Sequence, residues 1–99
     1  STPKFSYLAV QTLTSQLKSY RYSKRIKVNN KNDYILEFRN ADKDKILVFW
    51  TTKSSHSAHI KLENGGGRLV SMLGAKRSVK WGDYIEVNMQ TSPNYLIIK

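Results

Sequence analysis

The sequence contains no cysteine, and that absence excludes a disulfide scaffold, a Cys-ligated zinc or iron–sulfur centre and thiol catalysis. Long apolar runs are missing as well. The longest, Ile46–Trp50, is five residues, against the ~20 that a membrane helix needs. The opening residues lack a charged segment followed by an apolar one, so a soluble, mature chain without a transmembrane segment is expected. Proline and glycine are scarce, two and five of 99 residues, which leaves no collagen-like or low-complexity tract. Asn-x-Ser/Thr does not occur, so no N-glycan is expected. Acids are few: seven Asp and Glu face 17 Lys and Arg, a formal charge of +10. A field of that sign favours anionic partners, polyanions and acidic glycans among them.

The remaining composition suffices for one folded unit. Hydrophobic residues make up 39% of the chain, and a length below ~150 predicts a single domain over 1–99. Thr2 and Pro3 read as a helix cap and first position, and Val10, Leu13, Leu17 and Tyr20 recur at helical spacing. An amphipathic helix over about 4–19 is therefore expected, with the partial strand alternation of Ala9–Thr14 as the competing reading. From Tyr20 the period shortens to two and turn residues recur, which predicts a mainly β, antiparallel sandwich of jelly-roll or Greek-key type over 20–99. The strands are expected at 20–28, 33–39, 45–52, 56–62, 68–73, 76–81, 84–89 and 94–99. Ile46–Trp50 implies a central strand buried on both faces, Gly65-Gly66-Gly67 a flexible turn or hinge, and Gly82-Asp83 a two-residue hairpin.

Enzyme constellations fail on counting. The two imidazoles, His56 and His59, stand three apart on a strand and point to opposite faces, so no metal site is expected. The acids lie scattered among lysines and read as solvated charges. Asn40-Ala41-Asp42-Lys43-Asp44 begins like a calcium loop but lacks its sixth-place Gly and twelfth-place Glu. No nucleophile elbow, phosphate loop or dinucleotide fingerprint is present. Neither catalysis nor a cofactor is expected.

Binding is the better-supported class. Sugars offer apolar C–H faces to aromatic rings and hydroxyls to polar groups. Trp50 reads as core, whereas Trp81 stands beside the Gly82-Asp83 turn, at a hairpin tip where a large ring is hard to bury. The ligand-binding candidates are Trp81, Tyr84, His56, His59, Tyr22 and Asp83. The segment Tyr20–Lys31 is basic, with Arg21 and Arg25 expected on one face and Lys24 on the other. With Tyr20 and Tyr22 interleaved, it is the candidate surface for a polyanion or single-stranded nucleic acid, although no nucleic-acid motif is present.

Several stretches together resemble a known family: Tyr7-Leu8-Ala9, Thr12-Leu13, Leu17–Tyr20, Asp33–Arg39, Lys45–Thr52 and Ser92–Leu96 are similar to the C-terminal end of certain glycoside hydrolases. There the first stretch looks like the last helix of the catalytic barrel and the rest like a small β-sandwich appended to it. No barrel is present in this sequence, and the catalytic carboxylates go with it, so the resemblance carries over no hydrolase activity. What it implies is a free-standing carbohydrate-binding module or lectin, and the size and lack of cysteine are also similar to the small hemagglutinins of slime moulds. The expected partners are glycans or glycoproteins, acidic ones included, and agglutination would call for a homo-oligomer or clustered ligand. An extracellular or cell-surface location fits that reading. Alternatives are the polyanion binder and a ligand-free accessory domain of a larger hydrolase.

Overall fold

The computed structural model describes residues 15–99. Most of the helix expected over 4–19 lies outside them. Its described end turns between Leu17 and Tyr20, where Tyr20 N donates to Leu17 O at 2.9 Å. Eight strands come after it: β1 (Arg21–Arg25), β2 (Asp33–Arg39), β3 (Lys45–Thr51), β4 (His56–Lys61), β5 (Gly65–Val70), β6 (Lys76–Trp81), β7 (Tyr84–Met89) and β8 (Asn94–Ile98). They form an antiparallel sandwich of a six-stranded sheet, ordered β1-β2-β3-β8-β5-β6, and a two-stranded sheet of β4 and β7. β8 crosses from the two-stranded sheet after β7 and lies between β3 and β5, antiparallel to both. The mainly β sandwich read from the alternation is the fold observed.

Pattern and burial agree where one period governs. β3 is buried from Ile46 to Thr51, as expected of a strand flanked by β2 and β8 and covered on both faces. Leu47 and Phe49 point between the layers, where they join Ile35, Ile60, Ile85, Val87, Met89 and Leu96. Ile46, Val48 and Trp50 point to the opposite face with Tyr95 and Val70. At ~1.5–3 kcal/mol for each large apolar side chain removed from water, the inter-layer cluster is the dominant stabilising element.

Five expectations are corrected. Gly65-Gly66-Gly67 is no hinge but the first half of β5. A Cβ on Gly67 would overlap the Ile97 carbonyl oxygen and lie 3.0 Å from its carbon, so glycine is required here by the close passage of β8. Strand β5 accordingly starts earlier than expected and ends at Val70, with Met72 and Leu73 in the turn beyond it. Gly82-Asp83 does not close a hairpin: β6 and β7 belong to different sheets, and Gly82 lacks the positive φ that a Gly-first hairpin turn demands. Two acids are not solvated, since Asp33 and Glu37 are each 3% exposed. Glu37 is held by Arg39 at 2.9 Å and Lys45 at 3.8 Å, and these partners explain how a carboxylate occupies the inner face of β2.

The fifth correction concerns β1. A bulge between Tyr22 and Lys24 shifts the register, pairing Arg21 with Arg39, Lys24 with Glu37 and Arg25 with Leu36. The extra residue reverses the facing of every side chain beyond it on the strand, so Arg21 shares a face with Lys24 and not with Arg25. The Arg25 guanidinium lies 4.1 Å from the Tyr34 ring centre, and Tyr34 stacks on Trp50 at 5.2 Å, nearly parallel. Arg25 also donates to the Asp33 and Lys31 carbonyls. Its charge fastens β1 and the loop after it to the sheet.

Candidate functional site

The loop after β1 runs beside β4, and between them lies a groove of about 390 Å³, within the usual size range of a small ligand site. Asn29 and Asn30 line one wall, and His56, Ser57 and His59 the other, with Asp33 below. Asp33 comes from the first position of β2, where alternation turns it inward with Ile35 and Glu37. His56 comes from the inner face of β4, and its partner carboxylate fixes the ring.

The hydrogen bonds of His56 are informative. Nδ1 lies 2.8 Å from the Ser54 carbonyl oxygen and Nε2 lies 2.9 Å from Asp33 Oδ2. A neutral imidazole has one N–H and cannot satisfy two acceptors, so the imidazolium fits this position. The hydrogen bond to Asp33, joined by that to Ser54 and by the Asp33 charge, holds the His56 pKa above its ordinary value despite some opposing burial. Asp33 Oδ1, by contrast, is buried without a hydrogen-bond partner among the described residues. A buried acceptor in that state gains from any hydroxyl or amide that reaches it.

The outer side of the groove is aromatic. His59 lies on the solvent face of β4 and stacks on Tyr84, ring centres 4.5 Å apart and planes 26° from parallel. The two are diagonal neighbours, because His59 pairs with Glu86 and Lys61 with Tyr84. Tyr84 is 48% exposed. Around the pair the same face presents Ser57, Lys61, Glu86 and Asn88, all exposed. The arrangement offers a ring surface beside hydroxyl, amide, carboxylate and ammonium groups.

Of the six residues singled out by sequence, His56, His59 and Tyr84 come together here. The two histidines do lie on opposite faces of β4, yet both border the groove because it wraps the strand's free edge. Trp81 does not join them and is corrected: it is 8% exposed, packed in the inter-layer cluster, and its Nε1 donates to the Glu63 carbonyl at 2.7 Å. Alternation on β6 turns the ring inward with Val79, and the strand end at which it sits is not an exposed hairpin tip. Asp83 is exposed beside β7 and its carbonyl accepts from Leu62 N. Tyr22 is exposed on β1, edge-on to Phe38, a strand away from the groove. Asp33 and the Asn29-Asn30 pair were missed. The available signal was an acid in phase with the buried Ile35 of an alternating strand, directly after an Asn-rich loop.

Among the described residues no group of three or more His, Cys, Asp or Glu could hold a metal ion, and no helix is long and apolar enough to cross a membrane. In the Asn40–Asp44 loop, Asn40 Oδ1 accepts from Asp42 N and Asp44 N, so that side chain closes the turn.

No family model and no curated protein matches this sequence. Among solved structures, the fold is similar to part of a family 39 glycoside hydrolase from the gut symbiont Bacteroides cellulosilyticus WH2, with a TM-score of 0.77 and 24% identity. The match covers 95% of this chain and 20% of that one, so the chain spans about a fifth of its neighbour's length. The sandwich implied by the sequence resemblance thus occurs as part of such an enzyme's structure.

Proposed function

We propose that this chain is a non-catalytic, carbohydrate-binding domain of lectin type, and that the groove between the loop after β1 and strand β4 receives the sugar. The observation that carries the reading is the exposed His59–Tyr84 stack contiguous with a groove that contains the unpartnered Oδ1 of Asp33. A pyranose would lay its C–H face on the rings and direct hydroxyls toward Asp33 and the Asn29-Asn30 amides. The likeness in fold to a glycoside hydrolase segment supports a carbohydrate context. The two acids on the inner face of β2, Asp33 and Glu37, stand about 13 Å apart along the strand, wider than the spacing of paired glycosidase carboxylates.

Hydroxyl contacts exchange for water contacts, so each site is expected to be weak and agglutination to need several sites, in an oligomer or on a clustered ligand. The test is a glycan array and then titration of the best neutral sugar against wild type and Tyr84→Ala. Loss of the stack is expected to weaken binding by roughly 3- to 10-fold, with the circular dichroism unchanged because the side chain is largely exposed. Undiminished sugar binding in Tyr84→Ala and His59→Ala would remove the site. A second reading is favoured by the neighbour's much greater length: a ligand-free accessory sandwich, for which no sugar on the array would bind.

A further inference from the structure

The six-stranded sheet carries a second concave surface at its other end, on the flank formed by β5 and the edge strand β6. The cross-strand pairs are Gly66 with Lys80, Arg68 with Ser78 and Val70 with Lys76. Alternation places Gly66, Arg68 and Val70 on one face of β5 and Lys76, Ser78 and Lys80 on the same face of β6. Gly66 has no side chain to fill the space between Lys80 and the strand beyond, and a groove of about 560 Å³ results, bordered by Arg68, Ser78, Lys80 and Lys99. Arg68, Ser78, Lys80 and Lys99 are exposed.

Among the described residues no ion pair neutralises these cations. From Asn64 to Gly82 the sequence holds Arg68, Lys76, Arg77 and Lys80 and no acid, and the neighbouring β8 has none either. The ion pairs among the described residues involve Arg39, Lys45 and His56, none on this flank. Asp44 and Glu63 line an adjoining hollow that shares Lys99, but not this groove. Lysines on an edge strand guard against edge-to-edge pairing. That explains Lys76 and Lys80 but not Arg68, which sits on an interior strand between β6 and β8.

We infer that this groove is a binding site for an anionic oligosaccharide, one bearing sulfate or carboxylate groups along its length. Alternate residues of a strand are about 7 Å apart, so Lys80 and Arg68 set positive charges along the groove and Lys76 continues the row on the same face beyond it, suited to a polymer with repeated charges. Ser78 and the open backbone edge of β6 supply partners for hydroxyls. Single-stranded nucleic acid is the disfavoured occupant, because its binding sites stack bases on aromatic rings and no ring of the described residues lines this groove. The site shares no residue with the groove beside His59, so either can fail without the other.

The experiment titrates wild type, Arg68→Glu/Lys80→Glu and Lys24→Glu/Lys27→Glu with a heparin oligosaccharide, the same oligosaccharide desulfated, and poly(dT), at two salt concentrations. Neutral-sugar binding and circular dichroism serve as fold controls. Heparin binding is expected to weaken with salt, to fall by roughly 10-fold or more in the β5–β6 variant, and to change little in the variant of the segment after Ser23. Absence of heparin binding to wild type overturns the proposal. So does equal loss in both variants, an equal affinity for the desulfated oligosaccharide, or poly(dT) binding as tight as heparin and lost in the same β5–β6 variant.

Discussion

Gly67→Ala is expected to be the most destabilising of the glycine-to-alanine changes in this chain. An alanine Cβ at 67 would overlap the Ile97 carbonyl oxygen, lie 3.0 Å from the Ile97 carbonyl carbon and 3.2 Å from Ile98 Cα. All three obstacles are backbone atoms of β8, so no side-chain rotation relieves them. β5 and β8 would have to part locally, at the first pair of a ladder that runs from Gly67 with Ile98 to Val70 with Tyr95. Overpacking of a core costs about 1–3 kcal/mol, and an obstacle made of central-strand backbone puts the cost near the upper end, about 3 kcal/mol. For a domain near 100 residues that corresponds to a fall in Tm of roughly 12–24 °C. Urea unfolding monitored by tryptophan fluorescence reads it directly, since Trp81 is buried in the inter-layer cluster. Gly82→Ala is the control: its Cβ would meet nothing within 4 Å, and a change within about 0.5 kcal/mol is expected. A cost below about 1 kcal/mol for Gly67→Ala would show that β8 yields easily and that the backbone of β5 is not fixed by steric contact.

Gly74 has φ of +91° with open space around it, so Gly74→Ala should cost about 1–2 kcal/mol through backbone strain alone; no loss in a thermal melt would refute the conformation. Tyr95 is fully buried, its hydroxyl has no hydrogen-bond partner among the described residues, and burial raises its pKa. Tyr95→Phe should therefore raise stability by about 1 kcal/mol, and a loss of that size in urea titrations would mean that the hydroxyl is bonded. His56 has a raised folded pKa, so its contribution is fully present below the unfolded value of ~6.5 and is lost as pH rises through the folded value. An NMR titration of the ring should give a midpoint above ~6.5 that drops in Asp33→Asn, and a wild-type midpoint at or below ~6.5 would refute the two-acceptor geometry.

Strand positions were legible because one rule, alternation or its absence, decides them. Ile85, Val87 and Met89 face inward with polar neighbours between them, and the apolar run of β3 could only be central. The misreadings share a cause: each needed knowledge of what lies across a gap in sequence. Gly65–Gly67 looks like a hinge until β8 is placed against it. Gly82-Asp83 looks like a hairpin because local chemistry cannot distinguish a turn within one sheet from a step between two. Trp81 looks like the ring of a hairpin tip until β6 is placed over the second sheet, where the ring and Val79 both face inward. Asp33 looks like any loop-side acid until β4 brings His56 to it from 23 positions away. The bulge at Ser23 leaves no mark in composition, yet it sets which cations of β1 share a face.

The placement of both candidate surfaces stems from how the two sheets use their faces. The six-stranded sheet is covered on both sides over β3 and β8, where Ile46, Val48 and Tyr95 are as buried as Leu47, Phe49 and Leu96. A strand buried on both faces has no side chain left to offer a ligand. The two-stranded sheet buries only Ile60, Ile85, Val87 and Met89 and turns six polar or aromatic side chains outward, so variation there costs little in packing. β6 is likewise free on one edge and one face. Recognition chemistry is therefore confined, among the described residues, to the rims of the sandwich. A substitution on the outer face of β4–β7 or β5–β6 should alter binding with little change in stability, whereas one at Phe49 or Ile60 should do the reverse.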